Sequence, residues 1–176
     1  MKSILPRLES GMQLTKKELT TLICSLGDQA QYLRNCAVRT AQERFGRSVF
    51  VRGLIEISSY CKNDCYYCGL RASNSSAERY RLTEEQILEC CQTGYAVGLR
   101  TFVLQGGEDN YWRDERLVPL VAQIRANYPD AAITLSLGER SHESYRALRA
   151  AGADRYLLRH EAASRELYSA IHPEAM

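Results

Sequence analysis

The chain has 176 residues, of which 45% are hydrophobic and 25% charged. That suits a folded domain with a real core and excludes a disordered or fibrous chain. Lys and Arg outnumber Asp and Glu by only 23 to 21, so charge gives no reason for a nucleic-acid or membrane-surface partner. No apolar run reaches the roughly 18 residues of a membrane span. The opening MKSILPRLESGMQLTKKEL lacks the apolar stretch of a secretory signal. The expectation is a cytoplasmic protein with neither a membrane nor a nucleic-acid partner.

In chain order, residues 1–14 read as a polar arm. Thr15-Lys16-Lys17-Glu18 is a capping box, and Leu19, Leu22, Ile23 and Leu26 behind it make a helical stripe stopped by Gly27. A second helix is expected over about residues 29–44. From Val49 the pattern changes: Val49–Val51 and Leu54–Ile57 are apolar and β-branched, as in a strand. A loop with three cysteines follows. Thr83-Glu84-Glu85-Gln86 caps the next helix, with Ile87, Leu88, Cys91 and Tyr95 on one face and Gly98 at its end. Thr101–Leu104 is an uncharged strand of the doubly covered kind, broken by Gly106-Gly107. Leu117, Val118, Val121 and Ile124 mark a helix in which Pro119 predicts a late start or a bend. Ala132–Leu137 is a third strand. Ser141 caps a helix to Ala151, Arg155–Leu158 is a fourth strand, and a last helix runs over residues 162–171.

The order after residue 48 is therefore β-α-β-α-β-α-β-α, which means a parallel sheet with crossover helices. The expected architecture is α/β: a helical preface over residues 1–48, then a partial TIM-type (β/α) barrel of about four units over residues 49–176.

Seven cysteines are too many to ignore. In a cytosolic chain they are core filler, nucleophiles or metal ligands, and spacing decides among these. Cys61, Cys65 and Cys68 form C-x3-C-x2-C directly after the first strand. Zinc sites favour C-x2-C pairs with four ligands in all. His142, His160 and His172 are all remote in sequence, so no histidine is expected near the loop. Three thiolates without a fourth suit a 4Fe-4S cluster that leaves one iron open. Cys24, Cys36, Cys90 and Cys91 read mostly as small buried hydrophobes.

The text around this motif is more specific. C-x3-C-x2-C with Tyr67 before the third cysteine resembles the signature of radical S-adenosylmethionine enzymes. Cys68-Gly69-Leu70-Arg71, Arg79-Tyr80-Arg81, Leu104-Gln105-Gly106-Gly107-Glu108-Asp109, Thr134-Leu135-Ser136-Leu137-Gly138-Glu139 and the run from Ala153 to Glu161 resemble the HydE family. These maturases serve the H-cluster of FeFe-hydrogenase and belong with biotin synthase. The resemblance spans residues 54–172.

It implies a 4Fe-4S cluster on the three cysteines, with S-adenosylmethionine chelating the open iron and being cleaved reductively to a 5′-deoxyadenosyl radical. Tyr67 is expected near adenine. Gln105, Gly106, Gly107, Glu108, Glu139 and Glu161 are expected around the cosubstrate. There the Gly-Gly carbonyls or Glu108 accept from its ammonium, and Glu161 meets the ammonium or the ribose. Thr134 and Ser136 share one strand face; facing inward they would line a substrate cavity, with Arg159 available for an anionic group. The implied partners are a small-molecule or iron-containing synthon as substrate, an electron donor such as a ferredoxin or flavodoxin, and other hydrogenase maturases.

Each assignment has an ordinary counterpart. Gly-Gly after a strand also makes a turn. Glu108-Asp109 also complements a helix N-terminus. Arg155 and Arg159 also make structural ion pairs. The family carries about twice this length, so the chain is expected to be its N-terminal half. A carboxylate-binding arginine beyond residue 176 and a C-terminal half as partner would then be missing, leaving the first and fourth strands as sheet edges. Two alternatives stay open: a truncated or split non-catalytic fragment that binds a cluster or a partner half, and another enzyme of the biotin synthase-like group, such as a methylornithine synthase.

Overall fold

A computed structural model describes residues 4–173. The chain divides into two compact units, Met1–Phe50 and Val51–Met176. The first holds α1 (Ile4–Glu9), α2 (Lys16–Ile23) and α3 (Gly27–Phe45). The Thr15 hydroxyl accepts from the Glu18 amide while Glu18 accepts from the Thr15 amide at 2.8 Å, so α2 starts on a complete capping box. Two expectations fail here. The polar arm contains the helix α1, which the apolar Ile4, Leu5 and Leu8 support. Of the stripe on α2 only Leu22 is buried, while Ile23 and Leu26 are 82% and 84% exposed. Short helices in a 50-residue unit have little surface against which to bury a full stripe.

The second unit contains β1 (Gly53–Ser58), α4 (Glu84–Ala96), β2 (Thr101–Gly106), α5 (Asp114–Asn127), β3 (Ala132–Ser136), α6 (His142–Ala150), β4 (Arg155–Tyr156) and α7 (Arg165–Ile171). The strands pair in parallel in the order β1-β2-β3-β4. Each new strand adds on the same side, as in a barrel; a doubly wound sheet would reverse direction.

Register sorts the side chains. Ile55, Ile57, Phe102, Leu104, Ile133 and Leu135 face the helices, where they pack on Ile87 and Cys91 of α4, Leu117, Val121 and Ile124 of α5 and Leu148 of α6. The opposite face carries Leu54, Val103, Thr134 and Arg155 in one row, then Glu56, Gln105 and Ser136 in the next. The helices of this unit pack on one side of the sheet, and the polar residues of the other side lie toward the C-terminal strand ends.

Several boundaries differ from expectation. Val49–Val51 lie outside the sheet, because the ladder starts at Gly53 opposite Phe102. β4 stops at Tyr156. The Leu157 amide still donates to Leu135 at 2.8 Å, but β3 then turns away at Gly138, whose φ is +76°, and leaves Leu158 without a strand to follow. α5 begins at Asp114, ahead of Leu117, and Pro119 sits inside it. α7 begins only at Arg165, capped by Ser164. No described helix is long and apolar enough to cross a membrane.

Leu135 is fully buried between strand and helices. Leu135→Ala should lower stability by about 2–5 kcal/mol, the usual cost of such a truncation, read as a shift in the urea midpoint. A loss below about 1 kcal/mol would mean that this side of the sheet is not the core.

Candidate functional site

Chemistry collects at the C-terminal ends of the strands, as it does in barrels. A cavity of about 620 Å3 opens there, within the roughly 300–1,000 Å3 of small-molecule sites. Cys61, Cys65 and Cys68 line it beside Tyr67. Gln105, Gly106, Gly107 and Glu108 reach it from the end of β2, Ser136 and Glu139 from the end of β3, and Arg159 and Glu161 from beyond β4. Thr134 does not reach it. It shares a face with Ser136, but it lies one row deeper, 3% exposed, and its hydroxyl has no hydrogen-bond partner. The placement of Thr134 at the cavity is thus corrected by register depth.

The cysteine loop has no helix or strand of its own. The Asn63 amide points at the Cys61 sulfur and the Leu70 amide at the Cys68 sulfur, each at 3.4 Å. Such N–H···S contacts favour negative charge on sulfur. Burial pushes the Cys65 thiol above its ordinary pKa. A thiol raised this way is a poor nucleophile at neutral pH, whereas a bound metal displaces its proton. Among the described residues no three His, Cys, Asp or Glu side chains converge on a single metal-ion position. A cubane cluster takes one thiolate per iron, so its ligands surround a cube without converging on a point. Three cysteines on the wall of one cavity are a donor set of the kind such a cluster takes.

Gly107 is needed by the chain itself. A Cβ on Gly107 would lie 2.3 Å from the Tyr60 carbonyl oxygen and 2.6 Å from Cys61 Cβ. The start of the cysteine loop rests directly on this backbone. Glu108 is committed in the same way. One carboxylate oxygen stands 3.1 Å from Lys62 Nζ, inside the loop, and the other accepts from the Glu139 amide at 3.0 Å. Asp109 is the buried one of the pair, with its side chain 3% exposed. It accepts from Ser58 Oγ at 2.6 Å, from Arg81 at 2.6 and 3.0 Å, and from the Tyr111 amide at 3.0 Å. Burial alone would raise its pKa. The bonds from Arg81 and Ser58 outweigh burial and leave the pKa lowered. Arg81 in turn lies 3.8 Å above the Tyr60 ring, next to Cys61.

His172 overturns one expectation. It is remote in sequence, yet its Nε2 lies 3.2 Å from Tyr67 Oη inside the cysteine loop. Its Nδ1 stands 2.8 Å from the Tyr168 carbonyl, which can only accept. In the neutral ring the proton therefore sits on Nδ1 and Nε2 accepts from the phenol. Burial, with Cys65 adding to it, raises the Tyr67 pKa and keeps that phenol protonated. The Tyr66 amide also donates to the Ile171 carbonyl at 3.0 Å, so the end of α7 grips two successive loop residues. No sequence signal marks this contact, which the β4–α7 return creates. Glu56 was also missed. It lines the cavity and accepts from Gln105 at 3.4 Å, and its alternation with Ile55 and Ile57 was the available clue. Glu161 has a φ of +57° and is the only described non-glycine residue with positive φ. Left-handed backbone of this kind collects at ligand sites.

Residues 55–175 match the sequence profile of the Radical SAM superfamily, and the chain belongs to that family. It is 37% identical to the FeFe-hydrogenase maturase subunit HydE of Thermotoga maritima over 175 residues, covering 98% of this chain and 49% of that protein. A crystal structure of methylornithine synthase superposes with a TM-score of 0.83 at 30% identity, covering 97% of this chain and 51% of that one. HydG, another FeFe-hydrogenase maturase, superposes with a TM-score of 0.86 at 22% identity over 98% and 39%, a likeness of fold alone. The chain spans about half the length of the curated relatives it matches.

Two outcomes follow from the geometry. Gly107→Ala should displace Cys61, so that its thiol reacts faster with a soluble disulfide reagent than in the parent chain; equal rates would contradict the close approach. Asp109→Asn should cost about 1–3 kcal/mol at pH 7. Because the folded pKa is lowered, that contribution is complete above the ordinary carboxyl value of about 3.9. It fades as pH falls below that value through the lower folded one. Urea unfolding of both chains at pH 7, 5, 4 and 3 should show the difference shrinking toward acid; a constant difference would rule out the charged pair.

Proposed function

We propose that this chain provides the cluster-binding and cosubstrate-binding part of a radical S-adenosylmethionine enzyme of the HydE type. The observation that carries the reading is the single cavity that three cysteines share with Gly106-Gly107-Glu108, Glu139, Arg159 and Glu161. Cys61, Cys65 and Cys68 are the residues to hold a 4Fe-4S cluster, and the amides of Asn63 and Leu70 offset charge on two of the sulfurs. Once bound, such a cluster supplies the electron for reductive cleavage of S-adenosylmethionine and an iron open to its chelating groups. Glu161 and Glu139 supply carboxylates for the cosubstrate's ammonium or ribose, and the carbonyls of Gly106 and Gly107 supply further acceptors. Tyr67, held by His172, offers a ring face for adenine. Ser136 and Arg159 provide a hydroxyl and a cation for a small-molecule or iron-containing substrate. Thr134 closes the layer beneath them without touching the cavity.

Both HydE and methylornithine synthase match nearly the whole chain, and the higher identity to HydE, 37% against 30%, supports this reading. The rest of the proposal is a ferredoxin or flavodoxin as electron donor, contact with other hydrogenase maturases, a cytoplasmic setting, and a C-terminal half completing the barrel. The division into a preface over residues 1–48 and barrel units over residues 49–176 belongs to it as well. The exposed Leu54 and the cavity-lining Glu56, Gln105 and Ser136 on one face of the sheet support that completion, since a barrel encloses that face.

Anaerobic reconstitution with iron and sulfide should load about four irons per chain, with a low-temperature EPR signal after reduction that changes on adding S-adenosylmethionine. The triple variant Cys61→Ser, Cys65→Ser, Cys68→Ser should load none. Equal loading of the triple variant would sink the cluster assignment. A cluster signal indifferent to S-adenosylmethionine would sink the cosubstrate assignment.

A further inference from the structure

Arg79 follows the cysteine loop, and its guanidinium donates to four backbone carbonyls. One terminal nitrogen donates to the Ser59 carbonyl at 2.5 Å and the Leu70 carbonyl at 3.0 Å. The other donates to the Arg71 carbonyl at 2.8 Å and the Asn74 carbonyl at 3.2 Å. Ser59 lies on the segment entering the loop, before Cys61. Leu70, Arg71 and Asn74 lie on the segment leaving it, after Cys68. A single planar cation thus joins the two ends of the stretch that carries all three cysteines.

The backbone around Arg79 is itself fixed. The Ser59 hydroxyl donates to the Glu78 carbonyl at 2.9 Å and accepts from the Tyr80 amide at 2.8 Å, and the Ser59 amide donates to the Tyr80 carbonyl at 3.1 Å. Ser58 and Arg81 form a single antiparallel bridge beside it. The side chain therefore projects from a segment already strapped to the end of β1. Its several donors, in one rigid plane, suit carbonyls arriving from different directions; a lysine ammonium on a flexible stem does not match that spread.

We propose that Arg79 is a positioning residue that sets the spacing of Cys61, Cys65 and Cys68 by clamping the two flanks of their loop. The inference rests on the reading of those cysteines as cluster ligands only for its consequence; the clamp itself is a property of the chain. Outer residues that orient ligands typically change metal affinity or activity by about 10- to 100-fold when removed. Loss of the clamp should therefore speed iron extraction from the loaded chain by a chelator on that scale.

The test uses the 176-residue chain, with Arg79→Gln and Arg79→Lys. In the metal-free chains, hydrogen exchange read by mass spectrometry should show faster exchange over residues 59–79 in both variants, while peptides covering β2 and β3 stay protected. In the loaded chains, chelator extraction should be faster for Arg79→Gln, and Arg79→Lys should restore the slow rate only in part. Unchanged exchange over residues 59–79 in a variant with a protected sheet overturns the clamp. Full restoration by Arg79→Lys overturns it too, since charge alone would then suffice. Loss of sheet protection in both variants makes Arg79 a requirement of the fold and likewise overturns the proposal. If the parent chain binds no iron, the function proposed above fails, while the exchange arm still reads the clamp.

Discussion

A loop that carries three thiols but no regular hydrogen-bond ladder must be held in shape by its surroundings, and that requirement organises the second unit. Backbone groups removed from water need partners. Here those partners come from four directions. Lys62 pairs with Glu108 at the end of β2. Tyr66 and Tyr67 are gripped by the end of α7 through the Ile171 carbonyl and His172. The Ala72 amide closes back on the Asn63 carbonyl at 2.8 Å, and Asp64 accepts from the Ser73 amide at 2.9 Å. Asp109, Arg81 and Ser58 fix the base on which Tyr60 and Cys61 stand. The Asn63–Ala72 and Asp64–Ser73 closures come from the loop and its continuation, and a framework that converges on one end of the sheet supplies the other three, since every strand of a parallel sheet carries its loop to the same side.

The same framework explains which motif residues serve the chain and which face the cavity. The family resemblance places Gly107 and Glu108 at the cosubstrate. The first makes room for Cys61, and the second spends both oxygens on Lys62 and the Glu139 amide. Gly138 belongs to this arrangement: it combines a φ of +76° with a side where any Cβ would overlap the Glu108 side chain. A short motif can thus be needed for internal packing and still border a ligand, since both demands fall on the turn after a strand.

Much of this was legible in the sequence because it is local. The capping boxes at Thr15 and Thr83, the strand alternation and the terminating glycines each depend on residues within a few positions of one another. The cavity could be anticipated because all its parts follow strands of a parallel sheet. What stayed hidden depends on distance. His172 meets Tyr67 only because β4 and α7 return the chain to its first loop. Thr134 falls out of the cavity by one residue pair of depth, which needs the register of three strands. Val49–Val51 have strand composition but no partner within reach of the ladder, and composition cannot report a missing neighbour. β4 is short because Gly138 turns its neighbour aside, again a non-local cause.

One face of the sheet carries the core and the other carries Leu54, Glu56, Gln105 and Ser136. Leu54 is 55% exposed, although it occupies the same row as the buried Val103 and Thr134. Burial thus increases from the edge strand toward the middle of the sheet. A barrel interior is packed in layers built from alternate strands, and rows of this kind are such layers seen in part. The stability of this unit therefore rests on the helix-covered side, whose core is complete, while the inner rows are free to be polar. That division lets a site with carboxylates, a cation and thiols form on the same strands that hold the fold together.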